Sequence, residues 1–217
     1  MINSQLKTPF TLLISGPTMS GKTKTVCTLL KKAVKSDLYD RKPGPIYFFY
    51  NLWSPTFDEL AKTGIVTKWL TGSCTMDWVK KNVQPNSNST IIIDDMGNQM
   101  DQNIVELFTV GAHQMDINVI FISQTLFSRN NYLRTISTNA SYIILQKNPR
   151  DSASIKYLAR QMSSQDSDFI FWAYSEATKD PYSHFFLDFN QETEDKLRFK
   201  SNVFYEKNMP IVIYLKE

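Results

Sequence analysis

The sequence has 217 residues, of which 42% are hydrophobic and 21% are charged. This balance excludes a fibrous or disordered chain, and the length favours one sizeable globular domain over two. The 24 basic and 21 acidic residues leave a formal charge of +3, too small an excess to indicate nucleic-acid binding by itself. Any such contact must therefore come from a local basic patch.

Cysteine usage and the N-terminal residues limit the expected compartment. Cys27 and Cys74 have neither CxxC spacing nor an accompanying His pair, so neither a disulfide framework nor a zinc site is indicated. Residues 1–10 lack the basic start and apolar stretch of a secretory signal, and no apolar run has the length of a membrane span. We therefore expect a cytosolic, nuclear or viral protein that is neither secreted nor bound to a membrane.

Strands and helices are predicted to alternate along the chain. The apolar run at 10–15 (FTLLIS) predicts a buried strand that leads into a glycine loop, and apolar residues at helical spacing predict a helix at 22–35. At 90–95 (TIIIDD), three isoleucines run directly into two carboxylates, which is typical of a central strand whose end opens onto a site. Further strands are predicted at 45–51, 117–123, 141–146, 183–188 and 211–215, and further helices at 101–115 and 151–162.

This alternation predicts an α/β fold with a mostly parallel central sheet flanked by helices. We interpret residues 1–217 as one domain, with a core at about 8–190 and a C-terminal extension at about 191–217. Short helices and loops are predicted at 54–80, and an exposed polar connection at 82–89. The aromatic strand at 45–51 favours packing in the core, with stacking on nucleic-acid bases as the alternative.

A phosphate-binding loop is predicted after the first strand. The segment GPTMSGKT matches G-x-x-x-x-G-K-[ST], in which backbone N–H groups surround a β-phosphate. Lys22 would lie between the β- and γ-phosphates, and the hydroxyl of Thr23 would bind Mg²⁺. A strand before the loop and a helix after it favour this interpretation over an ordinary glycine turn. The residues predicted to bind ATP are Gly16, Pro17, Thr18, Met19, Ser20, Gly21, Lys22, Thr23 and Lys24.

Two adjacent acids are predicted to complete the nucleotide site. Asp94 lies at the end of the strand at 90–95, where its carboxylate can hold Mg²⁺ directly or through water. Asp95 can polarise the attacking water, which indicates hydrolysis of the nucleotide, although a helix-capping role is the alternative. The sequence therefore predicts ATP and Mg²⁺ as cofactors.

Polar residues beyond the next strand are further candidates. Gln124 follows the strand at 117–123, so an adjacent parallel strand would place its amide near the γ-phosphate, with a turn residue as the alternative. An arginine commonly meets the charge that develops on the γ-phosphoryl oxygens. Arg129, Arg134 and Arg150 are the candidates, and an arginine supplied by a neighbouring subunit would require an oligomer.

Five sequence blocks together resemble a known superfamily. In order they are GPTMSGKT, IIIDDM, VIFISQTLF, RTISTNASYIILQKNPRD and IKYLARQM, and they resemble the FtsK/HerA superfamily of DNA-pumping ATPases. More narrowly, they are similar to viral genome-packaging ATPases of the poxvirus-like type, including those of Polinton and adintovirus elements. The resemblance runs from about residue 10 to about residue 188, and SQTLF and KNPRD are more specific than the phosphate loop.

This resemblance implies a RecA-like (ASCE) P-loop core, a homo-oligomeric ring of five or six subunits, and ATP hydrolysis that drives double-stranded DNA into a preformed capsid. It also implies a capsid or portal protein as a partner, and a viral protein acting in the host cytoplasm or nucleus. The competing hypotheses are another DNA-dependent ATPase, such as a helicase, and a small-molecule kinase. A packaging motor and both of these competitors would use the phosphate loop.

The resemblance also assigns roles to individual residues. It implies that Asp94 serves magnesium, that Asp95 serves as the base, and that Gln124 is the polar residue at the strand end. It also implies an arginine acting in trans but does not fix which one, and among the arginines around the matching blocks we favour Arg134 and then Arg150. Packaging must tolerate any DNA sequence, so DNA contacts are expected at phosphates; the candidates are Lys147, Arg150, Lys156 and Arg160, with a solvated helix face as the alternative.

Overall fold

The computed structural model of the chain describes residues 5–35, 38–94, 102–127, 131–204 and 209–216. The strands in these ranges are β1 (Thr11–Ser15), β2 (Ile46–Tyr50), β3 (Lys68–Thr71), β4 (Thr90–Asp94), β5 (Asn118–Ser123), β6 (Tyr142–Gln146), β7 (His184–Asp188), β8 (Phe199–Ser201) and β9 (Val212–Ile213). The α-helices are α1 (Lys22–Lys35), α2 (Pro55–Ala61), α3 (Met76–Asn82), α4 (Gln102–Glu106), α5 (Ala112–Met115), α6 (Asn131–Asn139), α7 (Ser152–Met162) and α8 (Ser167–Ala177). A π-helical segment, Leu107–Gly111, joins α4 to α5, and a 3₁₀-helix spans Asp195–Leu197.

The described strands form one sheet in the order β3-β2-β4-β5-β1-β6-β7-β8-β9. Every pairing from β3 to β6 is parallel, and the pairings of β6 with β7, β7 with β8 and β8 with β9 are antiparallel. The strand that leads into the glycine loop, β1, is separated from the acidic strand, β4, by β5. The prediction of an α/β fold with a mostly parallel central sheet flanked by helices is confirmed.

Both faces of the sheet are buried, because successive side chains of a strand point to opposite faces. On β1, Leu13 packs in one hydrophobic cluster with residues of α3 to α8, whereas Leu12 and Ile14 pack in a second cluster with residues of α1 and α2. All five residues of β1 are buried. Such strands give the continuous apolar runs from which they were predicted.

Some elements differ from the predictions. Strand β3 lies within 54–80, for which only short helices and loops are predicted; it is a four-residue edge strand with exposed end residues, so it lacks an apolar run. The connection at 82–89 is not exposed throughout, because Asn88 and Ser89 are buried and Asn88 accepts a hydrogen bond from Asn118. The helices α6 and α8 and the strand β8 were not predicted either. No helix within the described residues has the length and apolar character needed to cross a bilayer.

Candidate nucleotide site

The glycine loop lies at the carboxyl edge of the parallel strands, between the end of β1 and the start of α1. The backbone N–H of Gly16 donates to the carbonyl of Ser123 at the end of β5 (3.3 Å), and the N–H of Ser20 donates to the carbonyl of Pro17 (3.2 Å). Met19 and Gly21 have φ angles of 64° and 99°. Turns that contain left-handed residues form concave backbone nests that bind anions.

Gly16 is required by close packing at the base of the loop. A Cβ atom placed on Gly16 would lie 2.6 Å from the Cβ of Gln146 and 2.8 Å from the hydroxyl oxygen of Ser20. The first of these neighbours is attached directly to the backbone of β6 and has little freedom to move. The glycine therefore allows the loop to lie against the end of β6.

Lys22 lies with its side chain inside the loop. The residue is buried, and its Nζ donates to the carbonyl oxygens of Gly16 at 2.7 Å and of Pro17 at 2.9 Å. These oxygens hold the ammonium group within the curve of the loop. A positive charge at this point is suited to bind the oxygens of a polyphosphate.

A cavity of about 500 Å³ opens beside the loop. It collects residues that follow β1, β2 and β5 and the last residue of β4, because the ends of neighbouring parallel strands meet at one edge. Its described lining residues are Thr18, Met19, Lys22, Thr23, Asn51, Leu52, Ser54, Asp94 and Gln124. The arrangement brings the ammonium group of Lys22 into the same space as one carboxylate, three hydroxyls and two amides.

The donor set of this cavity fits a magnesium ion. Mg²⁺ prefers oxygen ligands and commonly binds proteins through one or two carboxylates together with substrate phosphates. Asp94 offers a half-buried carboxylate and Thr23 a half-buried hydroxyl on the same cavity. These are the two residues that the sequence predicts as metal ligands.

The structure brings only part of the predicted site together. Thr18, Met19, Lys22, Thr23, Asp94 and Gln124 line the cavity, and Gly16, Pro17, Ser20 and Gly21 form the rest of the loop. Lys24 is exposed on α1, and neither Arg134 nor Arg150, both exposed, lines the cavity. Asp95 and Arg129 lie outside the described residues.

Sequence reasoning missed the contribution of the loop after β2. Tyr50 of β2 pairs with Asp94 of β4, so Asn51 begins the loop beside the acidic residue. Asn51, Leu52 and Ser54 then line the cavity. Asn51 is the last residue of the strand predicted at 45–51, and a polar residue at the end of a predicted strand is a signal that could have indicated it.

Gln146 was also missed, and it connects three segments around the loop. Its side chain is almost completely buried, with 1% exposed, and lies 2.7 Å from the hydroxyl of Thr25 on α1. In the amide orientation that satisfies its neighbours, its oxygen accepts from Thr25 and its nitrogen donates to the carbonyls of Ser20 and Ser183, each at 3.2 Å. Gln146 thus joins the loop to α1 and to the turn before β7.

Comparison with solved structures finds similar folds over nearly the whole chain. The genome packaging NTPase B204 of Sulfolobus turreted icosahedral virus 2, in complex with sulfate, has a TM-score of 0.55 and 15% sequence identity, covering 98% of this chain and 97% of that one. The same protein in complex with ATP-gammaS has a TM-score of 0.52 and 14% identity, covering 94% and 96%.

A third match extends this likeness to a related virus. B204, the DNA-packaging ATPase of Sulfolobus turreted icosahedral virus, has a TM-score of 0.51 and 15% identity, covering 94% of this chain and 96% of that one. No protein-family model and no curated protein matches the sequence. At such low identity the likeness demonstrates a common fold. The described residues therefore have the P-loop NTPase fold of a viral genome packaging NTPase, the fold that the FtsK/HerA resemblance implies.

Proposed function

We propose that the chain is an ATP-hydrolysing motor that packages double-stranded DNA into a viral capsid. One observation carries the ATPase part of the proposal: Lys22 and Thr23 share a cavity with Asp94 and Gln124 at the carboxyl edge of the sheet. The packaging part is supported by the five sequence blocks and by a likeness that covers almost all of a genome packaging NTPase.

ATP binding follows from the loop. The backbone of residues 16–23 would surround the β-phosphate, and the Nζ of Lys22 would exchange the carbonyls of Gly16 and Pro17 for phosphate oxygens. Thr23 and Asp94 would hold Mg²⁺, which neutralises charge on the β- and γ-phosphate oxygens. The cavity containing Asp94 and Gln124 would therefore receive the γ-phosphate end of the nucleotide.

Hydrolysis requires a group that orients the attacking water. Asp95 directly follows the proposed magnesium ligand in sequence, and we assign it the role of general base. Gln124 lines the cavity on the end of β5, next to β4 in the sheet. Its amide would contact the γ-phosphate and respond to its release.

A ring of five or six subunits would complete the site. Arg134 in the first half of α6 and Arg150 in the loop before α7 are exposed and outside the cavity of their own subunit. This location is compatible with an arginine that reaches the γ-phosphate of a neighbouring subunit. We propose Arg134 as the first candidate for this arginine and Arg150 as the second.

Contacts to DNA would come from exposed basic residues near the end of β6 and on α7. The Nζ of Lys147 donates to the carbonyl of Lys179, and the Nζ of Lys156 lies 4.9 Å from the centre of the Phe171 ring. These contacts favour structural roles for the two lysines. Arg150 and Arg160 are exposed and are the better candidates for phosphate contacts.

We assign the chain to the poxvirus-like packaging ATPases, acting in the cytoplasm or nucleus of an infected cell. Its partners would be double-stranded DNA and a capsid or portal protein.

The decisive experiment measures ATP hydrolysis by the purified chain with and without duplex DNA. We expect hydrolysis to rise with duplex DNA and to depend on assembly. Lys22→Ala should abolish turnover, whereas Lys35→Ala, at the exposed end of the same helix, should not change it. Asp95→Asn should bind ATP without hydrolysing it.

Other outcomes would favour the competing functions. Separation of duplex strands during hydrolysis would indicate a helicase. Phosphorylation of a small-molecule acceptor without a response to DNA would indicate a kinase. Unchanged turnover in Asp95→Asn would remove Asp95 from the catalytic role.

A further inference from the structure

Tyr182 lies against the phosphate loop on the side away from the acidic residues. Strand β7 runs antiparallel to β6, so the start of β7 is at the same sheet edge as the end of β1. Tyr182 precedes this start, in the turn where the N–H of Ser183 donates to the carbonyl of Asp180. In sheet order, β5 and β4 lie on one side of β1, and β6 and β7 lie on the other.

The ring of Tyr182 lies beside Gly21 of the loop. A Cβ atom placed on Gly21 would lie 3.3 Å from the Cδ1 of Tyr182 and 3.6 Å from its Cβ. Despite its closeness to the loop, 65% of Tyr182 is exposed to solvent. The absence of a side chain at Gly21 lets an aromatic ring with a large open surface lie next to the loop.

The backbone holds Tyr182 in an unfavourable conformation. Its φ angle is 63°, a left-handed value that costs an L-residue with a side chain about 1–2 kcal/mol. Such strain persists only where the surroundings fix it, and it occurs preferentially at ligand-binding sites. Packing into the core does not explain it here, because the ring is mostly exposed.

Gln146 fixes the turn of Tyr182 relative to the loop. One buried amide nitrogen donates both to Ser20 in the loop and to Ser183, the residue after Tyr182. The position of the ring and the position of the phosphate loop are therefore set by the same side chain.

We propose that Tyr182 is the stacking platform for the base of the bound nucleotide. This inference rests on the proposed function, because it takes the triphosphate to bind in the loop. With its γ-phosphate in the cavity of Asp94 and Gln124, the nucleotide has its nucleoside at the other end of the phosphate chain. The other side of the loop carries the exposed ring of Tyr182, and every base offers a π-face on which such a ring can stack.

The test compares a ligand that has a base with one that has none. Calorimetric titration would measure the affinity of the full chain for ATP and for inorganic tripolyphosphate, each with Mg²⁺. We expect Tyr182→Ala to weaken ATP binding at least about fivefold, the lower end of base–aromatic stacking, and to leave tripolyphosphate binding unchanged. Tyr182→Phe should bind both as the parent does, because the ring is retained.

The matched control is Tyr157→Ala. Tyr157 is an exposed aromatic on α7 that packs against Phe127, and its loss should affect neither ligand. Equal weakening of ATP and tripolyphosphate in Tyr182→Ala would show that the ring only supports the loop, and no weakening would show that it has no role; either result overturns the inference. If the parent protein binds neither ligand, the proposed function fails, and the inference fails with it.

Discussion

Gln146 and Thr25, separated by 121 positions in the sequence, share a buried hydrogen bond of 2.7 Å beside the phosphate loop. Since the amide of Gln146 also reaches Ser20 and Ser183, this pair joins α1, the loop and the turn before β7. The geometry of the nucleotide site thus depends on a residue that does not line the cavity.

Replacing Gln146 should therefore loosen the loop. We expect Gln146→Leu to destabilise the fold by about 1–3 kcal/mol, because buried polar groups lose their partner, and also to weaken ATP binding. Urea unfolding and ATP titration would measure the two effects. A double-mutant cycle with Thr25→Val isolates the Gln146–Thr25 bond, and strictly additive effects of the two changes would show that the bond contributes nothing.

Gly16→Ala should remove nucleotide binding by overpacking the base of the loop. The new Cβ would lie 2.6 Å from the Cβ of Gln146, and overpacking of this kind typically costs about 1–3 kcal/mol. The control is Gly111→Ala, whose Cβ would meet the flexible side chain of Met76 at 2.9 Å. Thermal unfolding and ATP titration should show a large loss only for Gly16→Ala, and normal ATP binding by that variant would contradict the packing argument.

The buried ion pair between Asp188 and Lys200 should be costly to break from one side. Their side chains are 8% and 6% exposed, and the Nζ of Lys200 lies 2.9 Å from a carboxylate oxygen of Asp188. We expect Lys200→Met to destabilise the protein by about 3–5 kcal/mol, because it leaves a buried charge without its partner. The double variant Asp188→Asn, Lys200→Met should recover part of this loss in urea unfolding.

An exposed ion pair in the same part of the chain provides the comparison. Lys196 and Glu194 lie 2.8 Å apart at the surface, where ion pairs contribute little. Lys196→Met should therefore leave the unfolding midpoint nearly unchanged. A loss in Lys196→Met as large as that in Lys200→Met would contradict burial as the cause.

Stability should fall in mild acid because of His184. Burial lowers the pKa of His184 from 6.5 to about 4, so the unfolded chain takes up a proton at a higher pH than the folded chain does. The contribution of His184 to the free energy of unfolding is fully present above pH 6.5 and is lost as the pH falls towards 4. The total loss is roughly 3 kcal/mol. When unfolding is measured across this pH range, the free energy of unfolding of His184→Gln should decline less steeply than that of the parent protein.

The matched variant for this titration is His113→Gln. His113 is exposed on α5, so its replacement should leave the pH profile of the parent protein in place. A profile of His184→Gln that is as steep as the parent's between pH 6.5 and 4 would assign the acid sensitivity to other groups.

Subunit mixing tests the arginine proposed to act in trans. Arg134→Ala and Lys22→Ala should each be inactive alone. In a ring, some interfaces of a mixed assembly combine an intact loop from one subunit with an intact Arg134 from the next, so mixing should restore part of the ATP hydrolysis. If no mixing ratio restores activity, the shared site loses its support, and Arg150→Ala is the next variant to mix.

Much of the site follows from local sequence. The helix α1 has its predicted bounds, 22–35, and the strand β4 ends one residue before its predicted end. These elements and the glycine loop were predictable because each depends on short-range periodicity and turn chemistry. Residues 90–94 and 118–123 read as apolar runs because both faces of these strands are buried. One-domain organisation and the role of Asp95 remain predictions.

The tertiary structure decided which distant residues meet at the loop. The strand order puts β5 between β1 and β4. Asn51 and Asp94 line one cavity although they lie in different segments. The side chain of Gln146 reaches three further segments, at Ser20, Thr25 and Ser183. Periodicity reports which face of an element is buried, but it contains no information about which elements become neighbours. The sequence by itself therefore determined the chemistry of the phosphate loop, whereas the fold determined its supports and placed an exposed tyrosine at its side.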